Sequence, residues 1–308
     1  MCGIAGWFDK TNNLNKHQHI IDNMSLSLAN RGPDEDGIFM RKNLCLIHRR
    51  LSIIDIESGK QPMTKAYKGK ICTIVYNGEI YNSPEIMSEL RSKGFSFFGH
   101  SDTEVVLTAY LCWGTKCVEK LNGIFAFAIW DDDEQRLFLA RDRIGVKPLF
   151  YYEYKNGLLF ASEIKTLLKN PIVEPKIDEQ GLYEVFLLGP ARTSGFGVIK
   201  DIKELLPGEC ATYNGKEIRK KKYFTLRAYE HRDNEKQTIE HIRELITDSI
   251  ERQLVSDVPL CTFLSGGLDS SIISYVASNY YRKNKLDTLT TYSCLLYTSD
   301  AADEARSV

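Results

Sequence analysis

The chain opens MCGIAGWF, which sets a cysteine directly behind the initiator methionine. Removal of Met1, an ordinary fate when the next residue is small, leaves Cys2 with a thiol and a free α-amino group. An α-amino group titrates near pH ~8, so it can take the thiol proton directly or through a water and act as the nucleophile's own base. Such a site needs no histidine. Read blandly, the same stretch is a small residue leading into a first strand, GIAGWF. Four further segments carry residue types suited to holding a charged small molecule: NRGPDEDG (30–37), HRRLSIID (48–55), YNGEIYN (76–82) and SDTE (101–104). Singly, RGPD and NGE are turn chemistry, SDTE is a helix cap, and HRRLSIID an edge strand with a basic approach. A last segment, SGGLDSS (265–271), has the order of strand, glycine turn, serine and helix that aims backbone N–H groups and a helix N-terminus at a phosphate. It lacks the GK[ST] of a Walker A loop, and a plain βα turn reads the same way.

The elements that must position these residues fall into two patterns. As far as about Asn214 the text is mostly strands and turns: KICTIVYNGEI, GIFAFAIWD, RLFLARD, LFYYEY and LLFASE are short β-rich runs, with DDDEQ a polar hairpin connection. Two helices interrupt them. One spans 83–93, opening at Ser83-Pro84 and stopping at Gly94; the other spans 102–113, where Ser101 and Glu104 fit a capping box. Antiparallel-type strands with helices among them predict an α+β layered domain. After about Tyr223, Ile239, Ile242, Leu245, Ile246, Ile250 and Leu254 recur at helical spacing. VPLCTFL then reads as a buried strand, SIISYVASNYY as a helix and TLTTYS as a second strand, which makes one βαβ unit of a parallel sheet. The boundary falls in LRAYEHRDNEKQ, near residue 230.

At 308 residues there is room for two domains. Forty basic and forty-one acidic residues give a net charge of -1, so nothing points to nucleic acid or another polyanion. Eight cysteines without a CxxC pair signal neither a zinc ribbon nor a disulfide framework and read as reduced thiols. The start lacks a signal-peptide pattern, and IFAFAIW is far short of the ~20 residues of a membrane span. A cytoplasmic protein acting on small molecules is expected.

Taken in order, CGIAG, RGPD, RRLSIID, NGEIYN, SDTE, GIFAFAIWD, ARDRIGVKPLFY, FASEIKTLL and SGGLDSS closely resemble the class II glutamine amidotransferases. Within that family they resemble the glutamine-hydrolysing asparagine synthetases. The resemblance implies an N-terminal-nucleophile hydrolase domain with αββα layers (residues 2–214), followed by the first βαβ of an α/β ATP pyrophosphatase domain (230–293). It implies that Cys2 attacks the side-chain amide of glutamine, with an oxyanion hole from the Asn77 side chain and the Gly78 N–H. Arg50 would hold the substrate's α-carboxylate in bidentate fashion, with Leu51, Ser52, Ile53 and Ile54 lining that side. Asp102, with Glu79, would hold the α-ammonium, and Arg31 would support Cys2. Asn30 stands where many relatives carry histidine, with little loss expected.

For SGGLDSS the resemblance implies ATP binding through Leu264, Ser265, Gly266, Gly267, Asp269 and Ser270, with Mg²⁺ near Asp269. Aspartate would be adenylated at its side-chain carboxylate and ammonia would displace AMP. No metal and no cofactor are expected for the glutaminase half. The expected partners are glutamine, aspartate and ATP, with no nucleic acid and no membrane; a homodimer is left open. Only two strands of the parallel sheet are read here, and CLLYTSDAADEARSV at the end resembles a translated sequencing adapter. A chain cut short, with residues from about Cys294 not native, is therefore expected, and at most glutaminase activity with it. Two other readings stay open: the glutaminase of a different amidotransferase, against which SGGLDSS argues, and a silent binding module, against which Cys2, Arg50, Asn77, Gly78 and Asp102 argue together.

Overall fold

The apolar runs up to Lys222 pair into two six-stranded antiparallel sheets in the computed structural model, which describes residues 1–189 and 191–293. In chain order the strands are β1 (Gly3–Asp9), β2 (Glu35–Met40), β3 (Leu44–Arg50), β4 (Met63–Tyr67), β5 (Lys70–Ile80) and β6 (Gly123–Asp131). They continue with β7 (Arg136–Arg141), β8 (Phe150–Tyr154), β9 (Gly157–Ala161), β10 (Ile202–Glu204), β11 (Glu209–Tyr213) and β12 (Ile218–Lys222). The helices of this part are α1 (Gln18–Ser27), α2 (Ser83–Ser92), α3 (Asp102–Trp113), α4 (Ile164–Leu167) and α5 (Glu179–Leu188). One sheet has the order β10-β8-β9-β1-β3-β2, the other β12-β11-β7-β6-β5-β4.

The two-residue period of a strand sorts its side chains into layers. Ile4 and Phe8 of β1 and Val75 of β5 meet Trp130, Leu139 and Phe160 between the sheets. Ala5 and Trp7 turn outward to Ile20, Ile21 and Met24 of α1, while Tyr76 and Phe127 turn outward to Ile86 and Leu90 of α2 and Val106 of α3. The layering is therefore helix, sheet, sheet, helix, as expected. Cys2 continues the Ile4 and Phe8 phase of β1, and Asn77 continues the Val75 phase of β5, so both belong to the inter-sheet face at the strand ends.

Three helices of this part, α1, α4 and α5, were not read from the sequence. In α1 the buried residues Ile20, Ile21 and Met24 do fall at helical spacing, whereas α4 is a four-residue turn too short for a period. The cap of α2 is Asn82 rather than Ser83. At α3 the cap is Ser101, whose side chain accepts the Thr103 N–H. The expected box with Glu104 does not form: the Glu104 carboxylate accepts the Phe98 and Gly99 N–H groups and pairs with Lys65 at 2.7 Å. A buried lysine and two loop amides outcompete the cap N–H, which is taken by Asp55.

The chain separates into two compact units, Met1–Arg227 and Ala228–Val308. Strand β12 carries the first unit's sheet past Asn214. In the second unit, α6 (Glu235–Arg252) starts from a capping box between Asn234 and Gln237, and β13 (Cys261–Phe263), α7 (Leu268–Lys283) and β14 (Thr290–Tyr292) form the expected βαβ unit. The two strands pair parallel, Cys261 with Thr290 through Phe263 with Tyr292. The expectation of a buried strand over VPLCTFL is not met, since only three residues are strand and Phe263 is 80% exposed. Parallel strands are buried only when helices cover both faces. Here α7 meets the Thr262 face, where the Thr262 and Ser274 hydroxyls lie 2.9 Å apart. The expected non-native segment from about Cys294 lies outside the described residues.

Candidate active site

Cys2 lines a cleft of about 190 Å³ together with Met1, Arg50, Leu51, Ile53, Ile54, Asn77, Gly78, Glu79 and Asp102. That is below the ~300 Å³ at which sites for drug-sized ligands begin, and suits one small metabolite. The Cys2 thiol lies 3.6 Å from the Leu51 carbonyl, to which it donates, and accepts the Leu51 N–H at 3.4 Å. Burial pushes the thiol above its ordinary pKa, against the Leu51 N–H, the N-terminal ammonium and Arg50. At neutral pH Cys2 is therefore a thiol in need of a base. The chain's own α-amino group, carried by Met1, interacts with the Cys2 charge, and burial holds it below its usual value despite that opposing charge. Arg31 donates through Nε to the Cys2 carbonyl at 3.0 Å and pairs with Glu163 at 3.2 Å.

His48 is no candidate base. Burial lowers its pKa to about 3, and its Nε2 lies 3.1 Å from the Tyr76 carbonyl oxygen. It is a neutral tie between β3 and β5, one residue short of Asn77.

The register of β5 determines what it offers the cleft. It pairs with β6 without a bulge from Cys72↔Asp131 to Ile80↔Gly123, but β4 covers its other edge only as far as Ile74. Beyond that point the edge groups are taken by side chains: Gln61 accepts the Tyr76 N–H at 2.7 Å, and Asp102 accepts the Ile80 N–H at 3.1 Å. N–H groups alternate sides along an antiparallel strand, so that of Gly78 points out of the same edge, between those two. Asn77 is 1% exposed, and its Nδ2 is a buried donor without a partner. Such orphans are uncommon and costly, and two donors one residue apart suit an oxygen that gains negative charge. Position 78 must be glycine, since a Cβ there would lie 2.3 Å from the Ile124 carbonyl oxygen.

Asp102 is the first residue of α3, placed by the Ser101 cap, and its Oδ2 also accepts the Tyr76 hydroxyl at 2.7 Å. Burial pushes its carboxyl up to about 6, against the Tyr76 and Ile80 hydrogen bonds. Arg50 lines the cleft in a way the sequence did not suggest. Its Nη1 donates to Glu35 at 2.8 Å and the Ile56 carbonyl at 3.0 Å, and its Nη2 to the Ile54 and Asp55 carbonyls at 3.2 and 2.7 Å. All four terminal N–H bonds thus point into the protein, so the geometry does not present the expected bidentate fork. The carbonyls of an irregular loop have no ladder partner, and the guanidinium supplies one. Ser52 does not line the cleft; its N–H is held at 2.8 Å by Asp34.

Lys147, Gln61, Gly59 and Thr103 also line the cleft and were not singled out from sequence. Lys147, 7% exposed, is a cation whose pKa burial lowers against the charges of Glu79 and Cys2. It sits in GVKPLFY, a motif read above without assigning it a residue role.

In the second unit Ser265, Gly266 and Gly267 form the turn between β13 and α7, with Gly267 the cap and Asp269 in the first helical turn. Gly266 has φ +87°, and a Cβ there would touch nothing within 4 Å. The Ser265 and Ser270 hydroxyls are 3.0 Å apart, and Ser270 also donates to the Gly267 carbonyl. Among the described residues no three His, Cys, Asp or Glu gather as for a metal ion, and no helix is long and apolar enough to cross a membrane. Seven cysteines are described and all are free thiols.

Residues 1–224 match a family model described as glutamine amidotransferase domain, and residues 241–308 one described as asparagine synthase. The chain is 45% identical to asparagine synthetase [glutamine-hydrolyzing] 3 of Bacillus subtilis, over 95% of its own length and 48% of that protein's. Asparagine synthetase B of Escherichia coli is 32% identical over 91% of the chain and 45% of the relative. The chain spans about half the length of these curated relatives. Among solved structures, the glutamine phosphoribosylpyrophosphate amidotransferase of B. subtilis, complexed with ADP and GMP, superposes with a TM-score of 0.52 at 16% identity, over 99% of this chain and 70% of that one. This likeness concerns the fold.

Proposed function

The chain belongs to the glutamine amidotransferase domain family, and from that premise we propose that its first unit hydrolyses glutamine to glutamate and ammonia with Cys2 as nucleophile. The observation that carries the reading is one cleft that brings together the Cys2 thiol, the unpartnered Asn77 Nδ2 and the charges of Arg50, Glu79 and Asp102. Glutamine is a zwitterion with a neutral amide at its far end. Asp102 and Glu79 face its α-ammonium, and Arg50 contributes positive charge toward its α-carboxylate.

Once Met1 is removed, the α-amino group of Cys2 takes the thiol proton as Sγ bonds to the amide carbon. Negative charge on the amide oxygen is met by Asn77 Nδ2 and the Gly78 N–H. The ammonium of Cys2 returns the proton to the leaving nitrogen, the C–N bond breaks, and ammonia departs from a thioester. Water then attacks the thioester carbon and gives its proton to the amine; the C–S bond breaks to release glutamate, and the Cys2 ammonium returns that proton to the departing sulfur, restoring thiol and amine.

For the second unit the reading is the start of an ATP site. The Ser265–Ser270 turn offers hydroxyls and backbone N–H groups to phosphates, and the match over residues 241–308 favours aspartate as the acid activated by ATP and then amidated by ammonia. Mg²⁺ would neutralise the nucleotide's phosphates, with Asp269 the carboxylate of this chain nearest the turn. The reading goes with a cytoplasmic enzyme of small-molecule substrates. The test is glutamate release from glutamine: the chain is expected to release it, and Cys2→Ala to abolish release without loss of fold. Undiminished release by Cys2→Ala would overturn the mechanism.

A further inference from the structure

The charges proposed to meet glutamine's α-carboxylate and α-ammonium stand beside two loops that no strand pairing joins: Arg50 ends β3 before the 51–59 loop, and Asp102 opens α3 after the 96–101 loop. Asp55 touches both. Its Oδ2 accepts the His100 N–H at 2.9 Å and the Ser101 N–H at 3.0 Å, and its Oδ1 the Ser58 N–H at 3.0 Å. Its backbone carbonyl oxygen accepts Arg50 Nη2 at 2.7 Å and the Gly59 N–H at 2.8 Å. Ser101 is the cap of α3, so the carboxylate fixes the end of the helix from which Asp102 projects.

The surroundings are shaped for this one side chain. Asp55 is 4% exposed and holds φ +50°, a left-handed conformation that aspartate tolerates better than most residues. A Cβ at residue 99 would lie 2.2 Å from Asp55 Oδ2, so Gly99 leaves the room the carboxylate occupies. At Gly59 a Cβ would lie 2.5 Å from Arg50 Nη2 and 2.6 Å from the Asp55 carbonyl oxygen. Burial opposes ionisation of Asp55, yet the N–H groups of Ser58, His100 and Ser101 and the His100 ring hold its carboxyl below the usual range. An ionised carboxylate accepting backbone N–H bonds makes the stronger, charge-assisted kind of hydrogen bond.

We propose that Asp55 is a positioning residue that sets the separation of Arg50 and Asp102, through its carbonyl on one side and its carboxylate on the other, so that the α-carboxylate and α-ammonium of the amino-acid substrate are met at once. The inference rests on the reading of the cleft as a glutamine site. The hydrogen bonds of Asp55 to Arg50, Ser58, Gly59, His100 and Ser101 bear on the zwitterion's charges, so its loss loosens recognition of the zwitterion and leaves the reactivity of the thiol intact.

The test compares two reagents on the full chain with Met1 removed: a diazoketone analogue of glutamine, which carries the α-amino-acid group, and iodoacetamide, which does not. Wild type, Asp55→Asn and Gly99→Ala are each titrated, with thermal melting as a check of folding. Asp55→Asn puts an N–H₂ against backbone N–H donors; Gly99→Ala displaces the carboxylate while keeping its charge, and serves wherever Asp55→Asn folds poorly. For both variants the half-saturating concentration of the glutamine analogue is expected to rise about tenfold or more, with the maximal inactivation rate and the iodoacetamide rate within about twofold of wild type. An unchanged half-saturating concentration in a folded variant overturns the proposal, and so does an equal loss toward both reagents. Wild type that iodoacetamide modifies at Cys2 but the analogue does not would instead overturn the glutamine reading, and this inference with it.

Discussion

The two units use the same kinds of sequence pattern to different ends. In the first, the large apolar strand residues meet another layer: Phe160 and Trp130 are sealed between the sheets, Trp7 under α1 and Phe127 under α3. In the second, α6 carries Ile239, Ile242, Leu245 and Ile246 at helical spacing, yet none of its residues is buried, and Phe263 of β13 stands in solvent. Periodicity says which face of an element seeks cover; it does not say that the described chain supplies it. Catalysis needs groups held to a fraction of an ångström, and among the described residues the first unit has far more of the packing that holds them.

The largest effect that would break this comparison is on stability. Phe160→Ala should cost about 3–5 kcal/mol, whereas Phe263→Ala should stay within about 0.5 kcal/mol; urea midpoints of the two variants would show it. Equal losses would mean that β13 is covered after all. Asn77→Ala should next lower kcat for glutamate release about 10²-fold, while Asp269→Ala in the second unit leaves it unchanged. A comparable loss for both would show the two sites to be coupled in hydrolysis.

The smallest effect is the pH dependence of Asp102, whose carboxyl is pushed up to about 6. As pH falls through that value the carboxylate gains a proton and no longer attracts an ammonium, so KM for glutamine should rise about tenfold by a pH one unit below. Asp102→Asn should show a high KM that is flat over the same range. The stability sign is opposite. A folded-state pKa above the unfolded value of ~3.9 means that the native chain binds more protons in that window, so this group's stabilisation is lost as pH rises from about 4 to about 6. At neutral pH Asp102→Asn should therefore melt slightly higher than wild type while binding glutamine worse.

Much of this was legible in the sequence because the signals were local. Strand runs such as GIFAFAIWD alternate or are apolar throughout, and NGE places a glycine where a neighbouring carbonyl leaves no room for a side chain. Cys2, Asn77, Gly78, Glu79 and Asp102 were read from motifs and do share one cleft. What escaped depends on contacts between distant segments. The inward-turned Arg50 depends on loop carbonyls whose direction no residue pattern encodes, and Glu104 left its expected box for a lysine 39 residues away. Asp55 reads as the end of a strand motif until the 96–101 loop is laid against it. Lys147 lies far from the other cleft residues in sequence, and only folding brings it beside them.

The most direct test of the account is to quench the chain during turnover with glutamine and measure the mass of its N-terminal peptide. A peptide that begins at Cys2 and carries a γ-glutamyl thioester is the predicted result. Continued glutamate release from a chain whose N-terminal peptide keeps Met1 and stays unmodified would contradict it.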